Sequence, residues 1–258
     1  MQDVKSVLAR EVDYHERLYG GFAQRHFARP AVRALREHMV RRILCVTGVP
    51  KTARVLSLGC GIGDTELLLA AHVAEVVGVD LAPSAIRQAR EDAARAGRHN
   101  VRFIEGTLES SGLTPGSFDL IIAIFFLHHL PAPILAALPD QIARLLAPGG
   151  VFYSLDPSRY RLSGAVGSLL IPRIMRRYQS PDEQQLDPRR TVELFTQAHL
   201  QSRTDFYDFL SSPLAGLFPA WRLGYRAARL ADDLILRVPL LRSLGSNFEI
   251  IVRKPQRP

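Results

Sequence analysis

A short apolar run, Val55-Leu56-Ser57-Leu58, passes directly into Gly59-Cys60-Gly61-Ile62-Gly63, and a second run, Val76-Val77-Gly78-Val79, ends on Asp80. Few folds accommodate that pair. The first run predicts a buried strand entering a tight turn, with a helix leaving it; the second predicts a strand ending in a carboxylate. Glycines in such a turn remove side chains where a ligand must approach the backbone. A carboxylate at the end of the second strand can accept hydrogen bonds from both hydroxyls of a ribose. The pair points to a site for an adenosine-containing cofactor. The G-x-G-x-G spacing alone is a weak signal, because nicotinamide and flavin enzymes use related turns.

The flanking sequence provides a sheet for this turn. Residues 1–48 read as helical, with Val32, Leu35, Met39 and Ile43 at helix spacing and Arg33, Arg36, Arg41 and Arg42 between them. Strands are predicted over 54–58, 75–80, 101–105, 118–126 and 151–155. Helices are predicted over 64–72, 85–96 and 134–146, with Pro83 at a helix start and Pro148-Gly149-Gly150 as a breaker. Such alternation predicts a parallel sheet with helices on both faces and ligands at the carboxyl ends of its strands. The pattern then loosens: Leu169, Leu170, Ile171, Ile174 and Met175 lie among Arg173, Arg176 and Arg177. A helix over 191–199 and strands over 201–210 and 247–253 follow. Between those strands, Phe218, Trp221, Tyr225, Ala228, Ala231, Ile235 and Val238 share one helical face, and Arg222, Arg226, Arg229, Asp233 and Arg237 share the other.

The expected fold is therefore α/β: a Rossmann-like, seven-stranded, mostly parallel sheet with helices on both faces, N-terminal helices and a helical insertion between the last two strands. It is read as one domain over 1–258, with a helical cap at 1–48, a cofactor-binding core at 50–156 and substrate-side helical additions at 157–200 and 211–245.

Four stretches resemble, in order, the class I S-adenosylmethionine-dependent methyltransferases. They are Leu58-Gly59-Cys60-Gly61-Ile62-Gly63; Gly78-Val79-Asp80; Ser117-Phe118-Asp119-Leu120-Ile121 leading to Leu127-His128-His129-Leu130; and Leu145-Leu146-Ala147-Pro148-Gly149-Gly150. The resemblance is strong over residues 50–156 and implies S-adenosylmethionine as cofactor and S-adenosylhomocysteine as product. It implies that Gly59, Cys60, Gly61 and Gly63 line the methionine part, Asp80 binds the ribose and Leu81 packs on the adenine. It further implies that Gly106, Thr107 and Leu108 hold the adenine edge and that the Ile124 carbonyl meets the amino group. Two positions depart from the pattern. Ser57 stands where the family often has an acidic residue, and Thr107 where it often has Asp; a neutral hydroxyl accepts a weaker bond than a carboxylate.

His128 and His129 follow the fourth strand, where a histidine can take a proton from a hydroxyl acceptor. Paired histidines there can equally hold the loop. Asp156, just past the fifth strand, can orient a substrate or cap a loop. Tyr14, Tyr19, Phe125, Trp221 and Tyr225 are the candidate acceptor contacts, with helix packing as the competing reading for the two N-terminal tyrosines. The segment 218–238 reads as a helix packed on its own domain, a substrate cap, a dimer face or a membrane-surface helix. No metal-ligand spacing is visible, so no metal is expected.

Composition narrows the class. Apolar residues make up 47% of the 258 and charged residues 22%, which suits a globular chain. No run approaches the ~18 apolar residues of a membrane span, and the N-terminus lacks the apolar core of a signal peptide. Cys45 and Cys60 are the only cysteines, and reduced thiols in a cytoplasmic protein are expected. The net charge of +8 comes from scattered arginines and reads as a solvated basic surface.

The expected function is methyl transfer to a small, apolar acceptor, a secondary or lipid- or quinone-like metabolite, with oxygen favoured as the atom. Nucleic acid is not an expected partner, because the Asn/Asp-Pro-Pro-aromatic motif of base-amine methyltransferases is absent after the fourth strand. A membrane surface and a homodimer stay open as partners. The alternatives are an RNA or protein methyltransferase, a non-catalytic cofactor-binding module and a nicotinamide oxidoreductase.

Overall fold

The computed structural model describes residues 4–19, 26–173 and 180–256. Seven strands form one sheet: β1 (Arg54–Leu58), β2 (Glu75–Asp80), β3 (Val101–Glu105), β4 (Phe118–Ile124), β5 (Leu146–Pro157), β6 (Gln201–Asp208) and β7 (Asn247–Arg253). Their spatial order is β3-β2-β1-β4-β5-β7-β6. The first five are parallel, and β7 runs antiparallel to both of its neighbours. β1 and β4 read as continuous apolar runs because both faces of the sheet are covered. Side chains alternate between two cores. Val55, Val76, Leu120 and Tyr153 join Met39 and Ile43 on one face; Leu56, Val77, Ile121 and Phe152 join Leu138, Ile142 and Phe195 on the other.

Among the described residues the helices are α1 (Val4–Tyr19), α2 (Pro30–Thr47), α3 (Asp64–Leu69), α4 (Pro83–Arg95), α5 (Ala132–Leu145), α6 (Leu162–Leu170), α7 (Pro188–Gln197), α8 (Ser211–Leu217), α9 (Arg222–Ile235) and α10 (Pro239–Arg242). Strand order reverses between β1 and β4, so a crevice opens at their carboxyl ends.

Several boundaries differ from those expected. β4 stops at Ile124, because Phe125 adopts a left-handed φ of 55° and turns the chain out of the ladder. β5 begins at Leu146, so Pro148-Gly149-Gly150 lies within it: Leu146 pairs with Phe118 before the register shifts. α3 ends at Leu69. The insertion between β6 and β7 is three helices, and its buried stripe is not the expected one. On α9, Gly224, Tyr225, Ala228, Arg229 and Asp232 are buried, while Trp221 is 56% exposed and Val238 is also exposed. Arg229 goes inward because β6 offers it an acceptor: Nη1 donates to the Tyr207 carbonyl at 2.8 Å, and Nη2 donates to Asp233 at 2.9 Å. Of the mixed run after β5, Ile174, Met175, Arg176 and Arg177 lie outside the described residues.

Candidate functional site

The turn after β1 places Gly59, Gly61 and Gly63 at φ of 64°, 51° and 75°. That region favours glycine, and space adds a second reason at all three, a Cβ on Gly63 falling 2.5 Å from the Phe103 ring. A Cβ on Gly59 would lie 2.2 Å from the Phe126 ring, and one on Gly61 would lie 2.5 Å from the Tyr19 hydroxyl. The Gly59 and Cys60 amides both donate to the Val79 carbonyl, at 2.9 and 3.2 Å. Asp80 holds the turn from below: Oδ2 accepts from the Gly61 amide at 2.8 Å and Oδ1 from the Ala82 amide at 2.9 Å. Each carboxylate oxygen keeps further acceptor capacity for a ligand.

Above the turn lies a cavity of about 800 Å³, toward the upper end of the usual range for small-molecule sites. Of the residues expected to hold a cofactor, Gly59, Cys60, Gly61, Asp80, Leu81, Gly106, Thr107, Leu108 and Ile124 line it; Gly63 does not. Thr107 is engaged locally, since the Ser110 amide donates to its Oγ1 at 3.2 Å. Tyr14, Tyr19, Phe125, His128 and His129 also line the cavity. Asp156, Trp221 and Tyr225 do not, and Tyr225 is instead packed in the core against α2. From the insertion it is α8, through Ser212, Pro213, Gly216 and Leu217, that reaches the wall. Cys45 is exposed, Cys60 is buried, and both are free.

Glu66 is a wall residue that the sequence did not single out. It stands on the first turn of α3 and is buried. Its Oε1 accepts from Ser57 Oγ at 2.6 Å, and its Oε2 has no hydrogen-bond partner. Burial pushes its carboxyl up to about 7. A carboxylate from the neighbouring helix thus stands beside Ser57, at the end of β1. The available signal was an acidic residue three positions after the last glycine of the turn, paired with a small hydroxyl on the strand.

His128 stands in a single 3-10 turn, Leu127–His129. Its Nδ1 lies 2.8 Å from Asp156 Oδ1, and its backbone amide donates to the same oxygen at 3.3 Å. Burial drives both groups toward their neutral forms: His128 falls to about 3 and Asp156 rises to about 7. A neutral imidazole that donates Nδ1–H to Asp156 keeps Nε2 as a lone-pair acceptor. Asp156 therefore reaches the cavity only through His128.

α1 covers this end of the site. Glu16 on α1 accepts from the Ser84 amide at the start of α4 at 2.9 Å. Arg10 pairs with Asp182 at 2.7 Å. His15 meets the His129 ring edge-on at 4.7 Å between centroids. Glu11 is buried on the same helix. Burial acts to raise its carboxyl, but contacts with His129 and Ser180 outweigh that and hold it below its ordinary value. Burial lowers both His15 and His129.

Residues 55–150 match the family model described as a methyltransferase domain. The ubiquinone biosynthesis O-methyltransferase of Paracidovorax citrulli is 37% identical over 103 residues, covering 39% of this chain and 42% of that protein. The uncharacterized methyltransferase YcgJ of Bacillus subtilis is 36% identical over 103 residues, covering 40% of each. The chain thus spans about two fifths of the length of these curated relatives. The crystal structure of YcgJ aligns with 85% of this chain and 99% of its own, at a TM-score of 0.56 and 22% identity. The cyclase SpnF aligns with 86% of this chain and 81% of its own, at a TM-score of 0.59 and 18% identity. These two structural likenesses speak to fold alone.

Proposed function

We propose that the chain, whose residues 55–150 match a methyltransferase domain, is a class I S-adenosylmethionine-dependent methyltransferase that methylates an oxygen of a small, apolar acceptor, with S-adenosylhomocysteine as co-product. The observation that carries this reading is that one cavity joins the glycine turn and Asp80 to the His128 imidazole. The residues suit the cofactor. The glycine cradle has no room for a Cβ, Asp80 keeps acceptor capacity for a ribose, and the unpartnered Glu66 Oε2 suits an ammonium group.

When bound, the cofactor supplies a methyl carbon on a positively charged sulfur. The residues of this chain have three tasks. Gly59, Cys60, Gly61 and Glu66 would receive the methionine end; Asp80, Leu81, Gly106, Thr107 and Leu108 would receive the adenosine, with the Ile124 carbonyl as a further acceptor. Tyr14, Tyr19 and Phe125 would wall the acceptor and exclude water, which alignment-driven displacement requires. His128 Nε2, oriented through Asp156, would accept the hydroxyl hydrogen bond and then the proton, which becomes strongly acidic as the new O–CH₃ bond forms and the S–CH₃ bond breaks, so that a weakly basic imidazole suffices. His129 would contact the acceptor without being the base.

A lipid- or quinone-like acceptor fits the rim of the cavity. α6 has no buried residue: it contributes Ser163, Gly164 and Gly167 to the wall and leaves Leu162, Val166, Leu169 and Leu170 exposed. Such a rim suits transient contact with a membrane surface. Among the described residues no helix is long and apolar enough to cross a membrane. A cytoplasmic setting is part of this reading, supported by the two free thiols.

The test is incubation with cofactor carrying a labelled methyl group against phenols, catechols and hydroquinones of graded hydrophobicity, with bulk RNA and protein in parallel. Label entering hydroxylated small molecules is the expected result. Label confined to RNA or protein would transfer the reading to those acceptors. Absence of cofactor binding by calorimetry would leave a different use of the fold.

A further inference from the structure

Glu11 and His15 stand four residues apart on α1 and so share a helix face. His129 comes to that face from the turn after β4. One donor atom from each of the three lies within 4.8 Å of the other two. We propose that Glu11, His15 and His129 form a binding site for one divalent transition-metal ion, of the zinc or cobalt type, in the wall of the cavity beneath α1.

The donor set suits such an ion. Two imidazoles and one carboxylate are borderline ligands, which favour Zn²⁺ and its neighbours over the oxygen-seeking Mg²⁺ and Ca²⁺. Two donors on one Zn²⁺, each at about 2.0–2.2 Å, lie at most about 4.4 Å apart, so a small rotation of a side chain closes the set. The His15 ring is already oriented. Its Nδ1 lies 2.8 Å from the Glu11 carbonyl oxygen, which fixes Nδ1–H and leaves Nε2 as the lone pair, as backbone acceptors do for metal-binding histidines.

Glu11 supplies an independent observation. The residue is 95% buried, being 5% exposed. Its Oε1 accepts from Ser180 Oγ at 2.7 Å. Its Oε2 lies 3.0 Å from His129 Nδ1, the contact that helps hold the carboxylate ionised, and has no partner of good hydrogen-bond geometry. A cation between that oxygen and the two rings would replace this poorly aligned contact with direct ligation. All three residues line the cavity. Three protein donors leave a coordination position open to water or to an oxygen ligand from the cavity, the arrangement of reactive rather than purely structural sites. The site stands whether or not the cavity serves methyl transfer.

The test uses full-length protein without a polyhistidine tag, stripped with a chelator and titrated with Co²⁺ and Zn²⁺. The expected result is one equivalent of Co²⁺ bound with a visible d–d absorption band, displaced by Zn²⁺, and a rise in Tm of the stripped protein. His15→Ala and Glu11→Gln should each weaken binding by at least about tenfold, and His99→Ala should leave it unchanged. Far-UV circular dichroism of the stripped variants confirms that they fold. Substoichiometric binding by the wild type would overturn the proposal. So would a Co²⁺ affinity and spectrum unaltered in a folded His15→Ala variant.

Discussion

Asp80 does more than the sequence assigned to it. Its carboxylate clamps the Gly61 and Ala82 amides, so it shapes the turn in addition to the ribose-binding role proposed for it. Asp80→Ala is expected to weaken cofactor binding more than tenfold and also to lower stability by roughly 1–3 kcal/mol, the usual cost of orphaned buried donors. Calorimetry and thermal melts measure the two effects separately. Glu66 carries a sharper prediction. Its raised folded value, about 7, means that its stabilising contribution is present below the ordinary carboxyl range and is lost as pH rises through 7. Glu66→Gln should therefore stabilise the ligand-free protein at pH 8, by up to about 3 kcal/mol, and much less at pH 5. The same variant should bind S-adenosylmethionine more weakly. Wild-type affinity should rise between pH 6 and 8 as Glu66 ionises, and the variant should lose that rise. His128→Asn should depress turnover on a hydroxyl acceptor by about 10²-fold or more while cofactor affinity is retained; an equal loss in both would make the histidine a loop residue. The glycine turn and Asp80 were legible because their signals are local and positional. Glu66 and Glu11 were not, because each acquires its role through a partner on another element, in the case of Glu11 through Ser180.

At the scale of elements, the alternation of strands and helices was readable because strands covered on both faces need unbroken apolar runs, as in Val76–Val79 and Leu120–Ala123. The insertion was less so, and α9 shows why. It carries one apolar stripe through Tyr225 and Ala228, which is buried, and another through Leu223, Leu230 and Leu234, which is exposed. Both have helical periodicity, and only the docking partner decides between them. Asp232 makes that decision, accepting from the Leu210 and Ser211 amides at 2.7 and 3.0 Å at the start of α8. The exposed leucines of α6 support the membrane-surface reading, and Leu169 is 81% exposed. Leu169→Ser with Leu170→Ser should reduce co-sedimentation with anionic vesicles severalfold while leaving kinetics on a short-chain soluble acceptor unchanged. If vesicle binding is unaltered and sedimentation velocity instead shows a dimer dissociating, the patch is a subunit contact.

Across the whole molecule, α2 is tied to the sheet by a half-buried charge network centred on the fully buried Glu249. Arg42 spans Glu249 at 2.7 Å and Asp205 at 3.1 Å, and Tyr153 donates to Glu249 at 2.6 Å. Removing one partner of such a network strands the other. Arg42→Ala is expected to cost about 2–3 kcal/mol, less than for a fully buried pair because solvent reaches Arg42, read as a lowered midpoint in urea with little change in slope. The double variant Arg42→Met with Glu249→Gln should recover part of that loss.

The antiparallel edge has a consequence for how the chain is made. β5 pairs with β7, matching Leu155 to Glu249, and among the described residues β6 has no other neighbour than β7. On the ribosome, β5 and β6 must wait with open hydrogen-bonding edges while residues 209–246 are synthesised. The parallel half of the sheet can assemble during that interval, but the other half forms only once β7 has left the exit tunnel. The nascent chain thus passes through a stage with two strands whose edges are unprotected, the form most prone to pairing with a neighbour. Yield on expression should accordingly depend on elongation rate and chaperone supply more than on the stability of the finished protein.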